Sequence, residues 1–245
     1  MYPEGNRTYP LFKRTEERVD AQMLDLYPEI LKLLEERVRK ELQSAPGCHD
    51  WDHTRRVFYN ALKIAEEEKK SSSVDMVVVK AAALLHDIGR PEELKQDGKI
   101  CHAVLGCKMA PDILKECGFK DAEIIANIAE CVKRHRFRGE NAHPETIEQK
   151  IIFDADKLDS IGAVGVARAI HFSGRIGSRL HNSEHEAVGS DAYGKEDSAY
   201  REYLVKLRHI PDRMLTDTGR KLAVERVEFM DLFFDTLNRE TYINS

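Results

Sequence analysis

Apolar residues recur mostly at three- and four-residue spacing along this chain, the pattern of amphipathic helices rather than strands. Over 17–43, Val19, Met23, Leu26, Ile30, Leu33, Leu34, Val38 and Leu42 keep that spacing, and SAPG at 44–47 ends the predicted helix. A second predicted helix starts at Asp50 or Asp52, either of which can cap it, and runs to about Lys70. After SSS at 71–73, with Ser73 as the expected cap, residues 74–88 (VDMVVVKAAALLHDI) are apolar on nearly every face. Such a helix is buried on most sides. Gly89 and Pro91 are expected to stop it, and 92–99 reads as a polar loop. Further helices are predicted at about 101–117, 121–137 and 145–170. Residues 171–198 are rich in Gly, Ser and His with little periodicity, which reads as a loop-rich insertion, either a mobile lid or a surface excursion. Two amphipathic segments, about 197–210 and 213–240, close the chain. The expectation is one all-α domain: an N-terminal segment and helix over 1–44, a core over 45–170, and an insertion with C-terminal helices over 171–245.

Composition narrows the classes. With 245 residues, 42% hydrophobic and 33% charged, the chain can bury a sizeable core and is too apolar for a disordered tail. Lys and Arg number 38 against 43 Asp and Glu, a net charge of −5. That balance argues against a nucleic-acid polymer as partner, but not against a small anion held in a local basic pocket. No stretch approaches ~18 uninterrupted apolar residues, so no membrane span is expected. The first twenty residues do not read as a secretory signal. Five cysteines, odd in number and without CxxC spacing, fit neither a disulfide framework nor a zinc finger, so a reducing cytoplasm is the expected location.

Chemistry concentrates at His86-Asp87, which ends the most apolar predicted helix. A carboxylate in apolar surroundings needs a cation or several donors, and a neighbouring imidazole supplies a neutral nitrogen ligand. His53 lies upstream near a helix start, in HDWDHTRRV. Downstream, Asp154, Asp156 and Asp159 are embedded in an apolar stretch; Asp156 and Asp159, three apart, share a helix face, whereas Asp154 points elsewhere. One metal ion accepting His53, His86, Asp87 and Asp156 would satisfy Asp156 most cheaply. GxGxxG and GxxxxGK[ST] loops are absent, so no dinucleotide or P-loop fold is implied.

The pieces H-x-x-R-V at His53, AALLHDIG at His86-Asp87 and DADKLDSIGAVGVAR at Asp156 resemble the HD superfamily of metal-dependent phosphohydrolases, whose signature is H…HD…D. The resemblance covers about 45–240 and is similar in detail to the small branch that includes a manganese-dependent nucleoside triphosphate pyrophosphohydrolase. It implies an HD-domain helical bundle carrying an N-terminal helix and a C-terminal helical extension. It further implies His53, His86, Asp87 and Asp156 as ligands of a divalent transition metal, with Mn first and Fe, Co, Ni or Zn open. Asp154 competes with Asp156 for the last place; the motif favours the acid directly before Lys-Leu. Several branches add two histidines between HD and the final D, which leaves His102 and His135 open as ligands of a second metal, as catalytic or phosphate contacts, or as surface residues. Lys157, Arg56, Arg175 and Arg179 are candidate substrate contacts. For Arg56, pairing with an acid is the alternative, and for Lys157 an ion pair with Asp159 or Glu148. The implied activity is hydrolysis of a nucleotide or similar phosphate ester by a metal-activated water, in a chain that could form a homo-oligomer. A di-iron oxygenase and a nucleotide-binding regulatory module are the alternatives.

Overall fold

The computed structural model describes residues 28–43, 50–96, 98–136 and 143–242. The part of the first predicted helix before Pro28 lies outside them. Helix α1 spans Pro28–Leu42 and buries Leu34, Val38 and Leu42 of the predicted stripe, with Leu31 in place of Leu33, which is exposed. Helix α2 (Trp51–Glu68) is capped by Asp50, whose carboxylate accepts from the His53 backbone N–H at 3.0 Å. Helix α3 (Met76–Leu85) is capped by Asp75 rather than the expected Ser73. Every residue from Val77 to Leu85 is buried, because α1, α2, α6 (Ala122–Arg134) and α7 (Ile147–Leu158) all pack against this helix. Each fully buried Val or Leu there contributes roughly 1.5–3 kcal/mol.

The expected polar loop at 92–99 is partly a short helix, α4 (Arg90–Lys95). Pro91 starts it instead of ending its predecessor, since its fixed φ suits a first turn and its missing N–H has no partner to lose there. Gly89 serves close approach. A Cβ there would lie 2.4 Å from the carbonyl oxygen of His102, so the turn after α3 packs directly on the start of α5 (His102–Glu116).

The single helix expected over 145–170 is two. Helix α7 starts in a Thr146–Gln149 capping box and ends at Leu158; α8 runs Gly162–Arg175. Gly162 sits at φ +74°, a conformation that breaks the helical path and costs glycine little. The bend brings α8 back past the end of α7, where Arg168 donates to Asp159, the residue that caps α7, at 2.6 Å.

The C-terminal helix α11 (Asp217–Thr241) packs on α2, α7 and α8. Asp154 anchors its start, accepting from the backbone N–H groups of Leu215 (2.9 Å) and Thr216 (2.8 Å) and from the Thr216 hydroxyl (2.7 Å). Arg226 of α11 donates to the carbonyl of Leu158 and, at 2.8 Å, to Asn60, which donates to Ala155. The extension is therefore tied into the core.

Residues 176–198 are an excursion braced from within. It contains α9 (Glu184–Val188) and leads into α10 (Ala199–Val205) and two 3-10 turns, Leu207–His209 and Pro211–Arg213. The Arg179 N–H donates to Lys195, fully buried Asn182 donates to the Glu196 carbonyl, and Ser198 donates to Asn182 at 2.6 Å. Among the described residues there is no strand.

Candidate metal centre

Six side chains converge from five elements and their ends. His53 stands in the first turn of α2, His86 and Asp87 just past α3, His102 at the start of α5, His135 just past α6, and Asp156 in the last turn of α7. His53, His86, Asp87, His102 and His135 are almost wholly buried, while the Asp156 side chain is 20% exposed. They fall into two adjoining sets, His53–His86–Asp156 and Asp87–His102–His135, within each of which the candidate ligand atoms lie within 4.8 Å of one another. Asp87 joins the sets. Its Oδ2 faces Nε2 of His53 at 3.5 Å and of His86 at 3.9 Å; its Oδ1 faces Nε2 of His102 at 3.2 Å and of His135 at 3.6 Å. Asp156 Oδ1 is 3.6 Å from His53 Nε2.

All four rings are held from behind. Nδ1 of His86 donates to the Ala83 carbonyl at 2.8 Å, and Nδ1 of His135 to the Val132 carbonyl at 2.6 Å. His53 Nδ1 donates to Asp159 at 2.7 Å, and His102 Nδ1 to Glu93 at 2.9 Å. A histidine that spends its Nδ1 proton this way presents an Nε2 lone pair, the arrangement metal-ligating imidazoles adopt. Nε2 of His53 lies 3.2 Å from that of His86, and the His102–His135 pair repeats the distance. Lone pairs facing at that range repel unless a cation or proton stands between them. The donor set thus fits a divalent ion in each half.

Charge follows the same logic. Burial draws the His53 pKa down, but hydrogen bonds to Asp159 and Asp87 outweigh it and raise the value to about 9, so a proton takes the cation's part when no ion is bound. Burial dominates at His86 and His102 and lowers them to about 4 and about 3, which keeps both neutral and ready to ligate. Asp156 resists burial and stays well below the ordinary carboxylate range through Lys157 and the histidines.

Asp159 and Glu93 were not read from the sequence as parts of the site. Each is a buried carboxylate that holds one histidine and two arginines: Asp159 binds His53, Arg56 and Arg168, and Glu93 binds His102, Arg90 and Arg136. For Asp159 a signal existed, one turn past Asp156 in DADKLD.

Beside the cluster lies a cleft of roughly 700 Å³, cationic through Arg90, Arg136, Lys157, Arg168, Lys206 and Arg213. Its apolar lining comes from Phe153, Ile210, Met214 and Leu215. Lys157 reaches Asp156 at 2.7 Å and lies over the Phe153 ring at 4.8 Å, rather than pairing with Asp159 or Glu148. Arg56 takes the alternative left open for it: its Nε donates to Asp159 at 2.6 Å. Arg175 and Arg179, expected over a phosphate, do not line the cleft. Arg175 covers Phe172 at 5.3 Å, and exposed Arg179 pairs with Glu186 and Glu196. The Arg179 side chain braces the excursion that carries it. Asp154 faces Leu215 and Thr216, away from the histidines. His49, which heads the HDWDHTRRV stretch, and Arg138, in the basic run after His135, lie outside the described residues.

A helical bundle that gathers H…HD…D onto one buried centre is an HD-type domain. The chain belongs to the HD domain family, whose sequence profile matches residues 50–161. It is 36% identical over 207 residues to Bacillus subtilis YpgQ, across 83% of this chain and 89% of YpgQ. The crystal structure of YpgQ in complex with ADP superposes with a TM-score of 0.65 at 31% identity, covering 86% of this chain and 94% of that one. A predicted HD superfamily hydrolase from an uncultured Thermotogales bacterium superposes with a TM-score of 0.60 at 30% identity, covering 86% of this chain and 91% of that one. The protein thus has the fold of HD superfamily hydrolases and a His/Asp cluster able to hold divalent metal. Among the described residues no helix is long and apolar enough to cross a membrane.

Proposed function

We propose that this protein is a metal-dependent phosphohydrolase acting on a nucleotide. The observation that carries this reading is Asp87, which turns one oxygen toward His53 and His86 and the other toward His102 and His135. With Asp156 completing the first set, the six side chains suit two neighbouring divalent ions, Mn first among Mn, Fe, Co, Ni and Zn. Such ions lower the pKa of water and offset phosphate charge, so hydrolysis needs no covalent intermediate.

The chain's own residues supply the rest. Lys157 stands where cluster meets cleft, so its ammonium can pass from Asp156 to a phosphate oxygen. Arg213 and Lys206 line the same cleft and add positive charge for a polyphosphate. Phe153, Ile210, Met214 and Leu215 offer an apolar surface to a base. ADP in the related YpgQ supports a nucleotide as ligand. Release of pyrophosphate from a nucleoside triphosphate is the specific reaction proposed.

A screen of Mn²⁺, Co²⁺, Ni²⁺, Mg²⁺ and Zn²⁺ against nucleoside mono-, di- and triphosphates, reading phosphate and pyrophosphate separately, tests it. Turnover of a triphosphate to pyrophosphate is the expected result. Binding without turnover across all five ions would overturn it in favour of a regulatory module. The second histidine set favours one further reading, a di-iron oxygenase. Two irons per chain as isolated, with oxygen consumption, would establish that instead.

A further inference from the structure

Glu93 lies in α4 and reaches across to the first turn of α5. Its Oε2 accepts from His102 Nδ1 at 2.9 Å, and its Oε1 from the His102 backbone N–H at 3.3 Å. The second bond does what a capping residue does, for Cys101, which precedes the helix, makes no side-chain cap. One carboxylate therefore sets both the ring and the helix end that carries it.

Glu93 is in turn held. Arg90 Nη1 donates to Oε2 at 2.7 Å and Arg136 Nη1 to Oε1 at 2.9 Å, and its side chain is only 10% exposed. Two guanidiniums and one imidazole leave the carboxylate a single orientation. The His102 ring, so fixed, points Nε2 at Asp87 Oδ1 and at His135 Nε2, both at 3.2 Å. The polar side-chain contacts of Glu93 all fall on this half of the cluster. On the other half His53 has its own carboxylate, Asp159, 106 residues away along the chain.

We propose that Glu93 is the positioning residue of the Asp87–His102–His135 half: it aims His102 and so governs occupancy of that ion position while leaving the His53–His86–Asp156 position alone. The assignment rests on the two-ion reading above and deepens it. It makes the two positions separable, one lost by a change at Glu93 and the other by a change at Asp159.

The test is a Mn²⁺ titration of the metal-free full chain, with free ion counted by electron paramagnetic resonance and folding checked by circular dichroism. Wild type is expected to take up two ions. Glu93→Gln should keep one at wild-type affinity and bind the other about ten- to hundredfold more weakly, the usual cost of losing a ligand's outer partner. Glu93→Asp keeps the charge but is one methylene too short to hold both His102 nitrogens, so it should weaken the same ion by a smaller factor. It carries the test should the neutral variant fail to fold. Asp159→Asn should show the mirror pattern, weakening the ion that Glu93→Gln spares. Both ions bound at wild-type affinity in both Glu93 variants would overturn the role of Glu93 alone. Equal weakening of both ions would reduce Glu93 to a general structural brace. Uptake of one ion by wild type would overturn the two-ion reading and this inference together.

Discussion

His53 and His102 each stand in the first turn of a helix, with Nδ1 on a carboxylate that also gathers two arginines. Each is followed 33 residues later by a histidine just past the next long helix, whose Nδ1 donates to the carbonyl three residues back. Helices α2 and α3 pack together, and so do α5 and α6, so two helix pairs present the same device to one point. What differs is charge. The first half owns Asp156 as well as its share of Asp87, whereas the second has two histidines and only that share. Equal geometry with unequal charge predicts unequal grip: the first position should hold its ion through charge, the second more through alignment.

The largest effect is expected where the halves meet. Asp87→Ala removes an oxygen from both sets at once, so bound metal and hydrolysis should both fall to background. Metal analysis of the purified, folded variant checks this; retained ions would mean that the halves do not share Asp87. Next, Asp156→Asn strips the first half of its private charge. Its ion should be weakened by more than the roughly hundredfold that loss of an outer partner costs. Asp154→Asn, two residues away, should leave both ions bound and instead lower stability by about 1–3 kcal/mol, because a buried set of hydrogen bonds to Leu215 and Thr216 is weakened. Denaturant melts beside metal titrations separate the two variants.

A smaller, pH-dependent effect belongs to the carboxylates behind the rings. Burial alone would raise Asp159, but hydrogen bonds from His53 and Arg56 outweigh it and hold its pKa at about 2. A carboxylate depressed in the folded state contributes stability above its unfolded value of about 4 and loses it as pH falls toward the folded value. In chelator, wild type should therefore lose stability between about pH 4 and pH 2, and Asp159→Asn should flatten that slope in urea melts. An unchanged slope would show that the Asp159 carboxylate is not held down by its partners. The smallest effect is expected outside the cleft: Arg175→Ala and Arg179→Ala should leave metal content and kinetics at wild-type values. A raised KM in either would return the excursion to the site.

Residue type and spacing determined much here before any coordinates. Three- and four-residue periodicity marks α1, α2, α5, α6 and α11 because each buries one face, and all-round hydrophobicity marks α3 because four helices enclose it. His53, His86-Asp87 and Asp156 were legible because an ion needs those side-chain types whatever the surroundings. The convergence of His102 and His135 on Asp87 waited on packing. So did the break at Gly162, which makes two helices of one apolar run and returns Arg168 to Asp159. Glu93 reads as one of several acids after a proline, and nothing local separates it from Glu92, whose side chain pairs with Lys95 on the surface. Periodicity reports which face of a helix avoids water. Which acid meets which cation depends on contacts within about 4 Å between segments up to a hundred residues apart, and those exist only once the helices have packed.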